Sequence, residues 1–352
     1  MATPLIRSVA MGAAALASVT ALAACGSSSS TSHGKTIALL LPESKTTRYE
    51  AFDKPLFEAK VKALCADCSV DYYNADQDES KQAQQVNTAI GKGDSIIVLD
   101  PVNGPGAGGM VSSAQASGAK VIAYDRFIAS ADYYTSFNNE TVGKLQAQAL
   151  VTAMGGKGSV LELNGAPSDP NAAQFKAGAH SILDANSGVK ILAEYDNPDW
   201  SPDNAQKWTT DQLSKFKPAQ INGILAANDG QAGGVVAALT GAGVAATALP
   251  PITGQDAELA AIQRIITGEQ AMTIYKPIAT EADKAAELAV ALINGTAPSD
   301  TTTFQSVKSY IFDPIVVTKG KVESTVIKDG FYTAAQICTS QYTSACTAAG
   351  IK

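Results

Sequence analysis

The chain consists of two successive series of short apolar runs separated by amphipathic stretches, and few folds accommodate that pattern. In the first series, residues 36–41, 70–73, 95–99 and 120–124 read as strands bounded by turn residues. Helical periodicity fills 48–64, 79–92 and 107–117 between them. A helix between consecutive strands brings each strand back in the same direction, so the sheet is parallel and helices cover both its faces. A second series follows at 159–163, 190–195, 223–226, 251–253 and 272–275, again with helices between. The expected fold is α/β, with two doubly wound parallel-sheet domains. Residues 133–138 lie between the series and read as a strand crossing from one to the other. An Ala-rich helix over 278–293 is then expected to return to the first domain, followed by a Gly/Pro/Ser/Asp loop and mixed strands over 307–327. The division is therefore 35–137 plus 277–312 against 138–276 plus 313–352, joined by a multi-stranded hinge.

The N-terminus gives an address. Arg7 precedes an apolar run over 9–24 that ends Leu22-Ala23-Ala24-Cys25. A short basic start, an apolar stretch and small residues before a cleavage point describe an export signal. The run is too short and Ala-rich for a comfortable membrane span. A Cys at that place resembles the bacterial lipobox, in which the new N-terminal Cys receives a lipid; the competing reading is an ordinary secretory signal with an incidental Cys. A Ser-rich stretch over 26–32 follows, a flexible tether by composition. Residues 1–24 are thus expected to be a signal peptide and 25–34 a lipidated Cys25 with its tether. This places the mature chain on the outer face of the cell membrane, in the periplasm where an outer membrane exists. With 45% hydrophobic and 17% charged residues the remainder is ordinary globular sequence. A net charge of −7 argues against the clustered basic face of a nucleic-acid binder.

Setting Cys25 aside leaves Cys65, Cys68, Cys338 and Cys346, an even set that reads as disulfides in an oxidising compartment. Of the three connectivities, local pairing of Cys65 with Cys68 and Cys338 with Cys346 is simplest. A redox Cys-x-x-Cys opens a helix, whereas this one follows the helical pattern of Phe57, Val61 and Leu64. Zinc would need further ligands, and the only histidines are His33 in the tether and His180, which reads as a helix-surface residue.

In open α/β sheets ligands bind beyond the carboxyl ends of the strands. The polar residues just after each strand therefore form a candidate site: Lys45, Arg48 and Tyr49; Asp125 and Arg126; Asn164, Asp169 and Asn171; Asp199 and Trp200; Asn228 and Asp229; Gln255 and Asp256; and Lys276. Planar donors, carboxylates, amides and aromatics together suit a neutral polyol. Asp and Asn accept from vicinal hydroxyls, Arg and Lys donate to them, and aromatic faces cover the C–H patches of a sugar. The competing role for a strand-end Asp is to cap the next helix, an alternative strongest for Asp256.

Several motifs then combine in order: Ala123-Tyr124-Asp125-Arg126, Ser136-Phe137-Asn138-Asn139-Glu140 with Val142-Gly143, Ala227-Asn228-Asp229 with Ala232-Gly233-Gly234, Gly254-Gln255-Asp256, and Thr273-Ile274-Tyr275-Lys276-Pro277. Over residues 35–330 the chain resembles the type I periplasmic-binding-protein family, and most closely the D-xylose-binding components of ABC importers. The resemblance implies sugar contacts from Arg48, Tyr49, Asp125 and Arg126 in the first domain. It implies Asn171, Trp200, Asn228 and Asp256 in the second, with Lys276 at a crossing between the two. Tyr49 stands where the xylose-type proteins carry a Trp, which leaves pentose against hexose open, with glucose, arabinose, galactose and ribose as the other aldoses. The expectation is a monomeric, lipid-anchored receptor that hinges shut over a monosaccharide and delivers it to an ABC permease. A chemosensory role fits the same site.

Other motifs carry less. Gly104-Pro105-Gly106-Ala107-Gly108-Gly109 satisfies the dinucleotide G-x-G-x-x-G formally. However, residues 100–103 separate it from the strand and Pro105 interrupts its turn, so the glycines are expected to shape a helix start. Carboxylates such as Asp125, Asp229 and Asp256 could serve a secreted glycosidase, but ligand recognition alone needs the same residues. No G-x-S-x-G occurs. Asn74, Asp76 and Asp78 hint at a calcium loop, yet Glu79 stands where Gly is required and Gln85 where Glu is. A sugar-responsive repressor of this fold would carry a DNA-binding helix pair where the export signal lies. The expectation is thus a binding protein rather than an enzyme, with no cofactor, no metal and no nucleic-acid partner.

Overall fold

The computed structural model describes residues 35–296, 298 and 300–351; the leader expected over 1–24 and the Cys25 anchor with its 25–34 tether lie outside the described residues. In chain order the first run is β1 (Thr36–Leu41), α1 (Lys54–Leu64), β2 (Ser69–Asn74), α2 (Glu79–Lys92), β3 (Ile96–Leu99), α3 (Gly108–Ala116), β4 (Lys120–Tyr124) and β5 (Tyr133–Phe137). The second is α4 (Asn139–Ala153), β6 (Gly158–Asn164), α5 (Pro170–Leu183), β7 (Val189–Asp196), α6 (Pro202–Leu213), β8 (Gly223–Ala226), α7 (Asp229–Gly241), α8 (Leu259–Thr267) and β9 (Thr273–Tyr275). The chain ends with α9 (Ile278–Ile293), β10 (Thr302–Phe304), β11 (Val307–Phe312), β12 (Ile315–Val317), α10 (Ala334–Ile337) and α11 (Thr343–Ala349).

Seven strands form one sheet in the order β10-β11-β5-β4-β3-β1-β2, parallel except for the β10–β11 edge. Its interior strand β1, next to the β2 edge, is apolar and buried beyond Thr36, because α1 and α9 cover one face and α2 and α3 the other. The edge strand β2 is no more than half-buried and correspondingly polar. α2 shows how local signals set an element. The Asp78 side chain accepts from the Lys81 amide at its start, and Gly93 ends it in the left-handed region with φ 85°.

The second sheet has the order β7-β6-β8, extended by a bridge between Ile224 and Ile252. Here α4 and α5 cover one face and α6 and α7 the other. α4 and α5 touch backbone to backbone. A Cβ at Gly143 would stand 1.9 Å from the Phe175 carbonyl oxygen, and one at Gly178 2.1 Å from that of Glu140. α9 packs on α1 in the core of the first sheet. The C-terminal segment instead packs Val322, Val326, Ile337 and Ile351 against Ile262, Ile265 and Ile266 of α8.

Three sequence-based expectations are corrected. Residues 133–138 do not bridge the two sheets as a strand: β5 is wholly buried inside the first sheet, between β4 and β11, and the chain passes to the second sheet only beyond its end, into α4. Residues 251–253 make only a single bridge, since Pro250 and Pro251 cannot donate to a ladder. Beyond Val317 the chain forms helical turns over Lys319–Lys321 and Glu323–Ile327, not strand. The buried Val322 and Val326 keep a one-turn spacing against α8, so the period there is helical. Cys65 and Cys68 lie at bonding distance with Cα atoms 5.2 Å apart, and Cys338 and Cys346 with Cα atoms 5.9 Å apart. The 104–109 glycines form a tight turn leading into α3, and the Gly104 amide donates to the Ser168 carbonyl.

Candidate functional site

Both sheets share a strand order of the 2-1-3-4 kind, so in each the connections diverge beside the first strand of the series and leave a crevice at the strands' carboxyl ends. The crevices face one another across a narrow polar cleft. All nine residues singled out from the sequence line it: Arg48, Tyr49, Asp125, Arg126, Asn171, Trp200, Asn228, Asp256 and Lys276. Thr46, Asp169, Phe175 and Gln255 line it too.

The first sheet contributes a wall of paired charges. After β1 the chain makes a wide π-type turn over Tyr49–Asp53 before α1 begins, a feature frequent at functional sites. Arg48 lies at its start, with its guanidinium buried. It donates to both carboxylate oxygens of Asp53 (2.9 and 2.6 Å), to Glu281 of α9 (2.7 Å) and to Asp125 (3.3 Å). The Tyr49 hydroxyl donates to Asp125 at 3.1 Å. Arg126 donates to the Pro101 carbonyl and to the Tyr49 hydroxyl, and pairs with Asp169 at 3.1 Å.

Asp125 has φ 54°, in the left-handed region. Three donors to its own carbonyl hold it there: Tyr134, Ser136 and Asn171. Burial alone would raise its carboxyl, but Arg48, Lys276, Arg126 and the Tyr49 hydrogen bond prevail and keep it below the usual range. Glu281 has the opposite outcome: burial pushes it up to about 8, against the pull of Arg48. Asp100, beneath Arg126, is likewise driven well above its ordinary value by burial.

The second sheet presents amides and an aromatic face from helix starts. Asp169 caps α5 and places Asn171 in its first turn; Asn228 caps α7 by accepting from the Gln231 amide. Phe175 lies one turn beyond Asn171 and meets Trp200 edge-on, ring centroids 6.3 Å apart. Trp200 has φ 61° and Asp256 φ 89°, both left-handed. Backbone strain of this kind gathers where a side chain must be aimed against its local preference. Trp200 lies directly on Gly165, where a Cβ would stand 2.0 Å from its ring. Lys276 pairs with Asp256 at 2.8 Å. Burial opposes its charge, but Asp256 and Asp125 outweigh that and raise its pKa. Among the described residues, Asn171 Oδ1, Gln255 Oε1 and Trp200 Nε1 are buried without a hydrogen-bond partner.

The remaining strand-end candidates stand elsewhere. Asp229 is a structural anchor: it accepts from Gln270, Thr273 and the Glu258 amide, and burial holds it well above its usual pKa. Asn164 donates to Glu194 and Asp196 on β7, away from the cavity. Lys45 and Asp199 pair across its mouth. Thr46 carries no signal in the sequence. Phe175 was accessible in principle, since it falls on the Asn171 face of α5 at i+4.

Comparison with known proteins identifies this arrangement. The family described as "periplasmic binding protein domain" matches residues 37–297. The chain belongs to the periplasmic binding protein family. Among related binding proteins it is 37% identical over 321 residues to the D-xylose-binding periplasmic protein of Haemophilus influenzae, covering 88% of this chain and 94% of that one. It is 37% identical over 310 residues to the D-xylose-binding periplasmic protein of Escherichia coli, covering 86% and 92%. A carbohydrate transporter solute binding protein from Chloroflexus aurantiacus, solved in complex with D-glucose, superposes with a TM-score of 0.77 at 28% identity, covering 86% of this chain and 98% of that one. These relatives are binding proteins, as the sequence led one to expect, and not enzymes. Like other periplasmic binding proteins, this one has its polar residues converging between two α/β sheets. Among its described residues no helix is long and apolar enough to cross a membrane.

Proposed function

We propose that this periplasmic binding protein is the extracytoplasmic receptor of an ABC sugar importer, that it captures D-xylose between its two lobes, and that it hands the sugar to a permease. The observation that carries the reading is the trio of unpartnered buried groups on the second lobe, facing the charged wall of the first. Asn171 Oδ1 and Gln255 Oε1 accept and Trp200 Nε1 donates. A hydroxyl does both, so a polyol satisfies all three, whereas an acceptor-only carboxylate or phosphate would leave the two carbonyl oxygens unmatched. The nine lining residues singled out above are the proposed sugar contacts. The two xylose-binding relatives favour a pentose. The glucose-bound neighbour supports a second reading, in which another aldose is carried or sensed.

Lobe boundaries at 35–137 plus 277–312 and 138–276 plus 313–352 belong to the same proposal, with closure about the crossings between them. So do a monomeric state, two local disulfides and a lipid on Cys25 that holds the receptor beside its permease. Calorimetric titration with xylose, arabinose, ribose, glucose and galactose tests the reading. Xylose is expected to bind tightest and to be recovered unchanged; failure of all five to bind tighter than millimolar overturns transport. Mass spectrometry of the exported protein should show Cys25 acylated and the other four cysteines inaccessible to alkylation until reduced.

A further inference from the structure

A second polar cluster lies on the α5 side of the second sheet, away from the sugar cavity. Register pairs Glu162 of β6 directly with Glu194 of β7, and like charges directly opposed on adjacent strands repel. Lys176 relieves part of this. It pairs with Glu194 Oε1 and with Asp196, and Asn164 donates to the same two carboxylates. Glu162 receives no direct contact from it, only its charge at a distance. Its side chain is 0% exposed, and neither of its oxygens has a hydrogen-bond partner among the described residues.

The group facing Glu162 is His180 of α5. Its Nε2 lies 3.4 Å from Glu162 Oε2 and 3.6 Å from Glu194 Oε2, and it too is buried without a hydrogen-bond partner. Its Nδ1 lies 3.1 Å from Asp184, one turn on. A carboxylate at Nδ1 favours the tautomer that carries its proton there, which turns the Nε2 lone pair toward two carboxylates. A lone pair facing two carboxylates calls for a proton shared with one of them or a cation between them, and the separations of 3.4 and 3.6 Å favour the cation.

We propose that Glu162, His180 and Glu194 form a binding site for one divalent transition-metal ion of the zinc type. The separations fit. Ligands held tetrahedrally at about 2.1 Å from zinc lie about 3.4 Å from one another, close to the two distances observed and longer than the roughly 2.7–3.2 Å of a hydrogen bond. Imidazole nitrogen with carboxylate oxygens suits zinc better than calcium, which takes six to eight oxygens. Charge fits as well: Glu162, Glu194, Asp184 and Asp196 surround the site and Lys176 is the single cation among them. Lys176 holds Glu194 by Oε1, which leaves Oε2 for the metal. His180 is partly exposed and gives the ion an entry path, while the buried Glu162 forms the floor. Asp184 acts as a positioning residue that holds the imidazole.

Untagged mature protein, stripped with EDTA and dialysed against Zn²⁺, tests this. One zinc per chain is expected to survive gel filtration, by elemental analysis. His180→Ala should weaken zinc binding at least ~100-fold and Asp184→Asn about 10–100-fold, with xylose affinity unchanged in both. His33→Ala should have no effect. Retention of xylose binding shows that each variant is folded, so a loss of zinc then reports the site. No retained zinc, or wild-type affinity in His180→Ala, overturns the proposal; an imidazolium bridging Glu162 and Glu194 would then account for the cluster.

Discussion

The two walls of the cleft solve the same recognition problem with different materials. On the first, Arg48, Asp53, Asp125, Tyr49 and Glu281 are linked by charged hydrogen bonds that leave only Glu281 Oε1 of the five without a partner, and Arg126 reaches from the same wall to Asp169 on the opposite one. On the second, Asn171, Gln255 and Trp200 retain buried polar atoms with no partner among the described residues. The first wall is therefore organised whether or not a ligand is present, whereas the second is completed by one. A rigid charged platform facing a wall that lacks partners assigns the two sides separate duties. The first bears on stability and orientation, the second on discrimination. A missing or inverted hydroxyl strands groups of the second wall at about 1–3 kcal/mol each.

Arg48→Met should break the contrast most severely. It leaves Asp53, Asp125 and Glu281 buried without their shared cation, at a cost of about 3–5 kcal/mol. Urea unfolding should register the full loss, and a change confined to sugar affinity would refute the division. Asp256→Ala is the counterpart on the other wall. Calorimetry should show xylose affinity falling about 10–100-fold, the equivalent of one unpaired buried group, with the fold intact because Asp125 still supports Lys276. Unchanged affinity would remove Asp256 from the site. Gly165→Ala is expected to be milder. Its Cβ must displace the Trp200 ring, at about 1 kcal/mol, so xylose should bind several-fold more weakly while Trp fluorescence shifts. Smallest is Glu281→Gln. In the folded protein burial raises this carboxyl from 4.5 to about 8, so the folded state holds a proton that the unfolded chain releases. Glu281 thus makes stability decline as pH rises from ~4.5 to ~8. The amide should cost under about 1 kcal/mol at pH 7 and flatten that decline, measured as the unfolding free energy at pH 5 against pH 8.

Much of this was legible in the sequence because the signals were periodic. β1, α2, β4, β8 and α9 have the limits that their apolar patterns predict. The strand-end rule brings the nine candidate residues into a wider set, because parallel sheets bind ligands beyond their carboxyl ends, and the family resemblance selects them from it; all nine line the cleft. Where the reading failed, tertiary context decided. β5 reads as a strand between the two series and becomes an interior strand of the first sheet only because β11 returns from 175 residues later to pair with it (Tyr133 opposite Lys308). Val322 and Val326 suggested strand until α8 gave them a helical partner face. The left-handed backbones of Asp125, Trp200 and Asp256 have no sequence signal, since none is glycine. His180 looked like a surface residue because nothing in one dimension shows that Glu162 and Glu194 are neighbours; only register does.

Three chain passages run side by side between the lobes. β5 and β11 are paired to their last residues, Phe137 opposite Phe312, and the Asn138 amide donates to the Phe312 carbonyl. Beyond them β9 and β12 pair Tyr275 with Ile315. A single strap would let one lobe swivel, twist and drift against the other. In the hinge proposed above, three straps bonded edge to edge would leave essentially one freedom, rotation about the line they define. In the proposed receptor, whether a sugar is held therefore reduces to a single angle, and a membrane partner can read that angle from outside without ever touching the sugar.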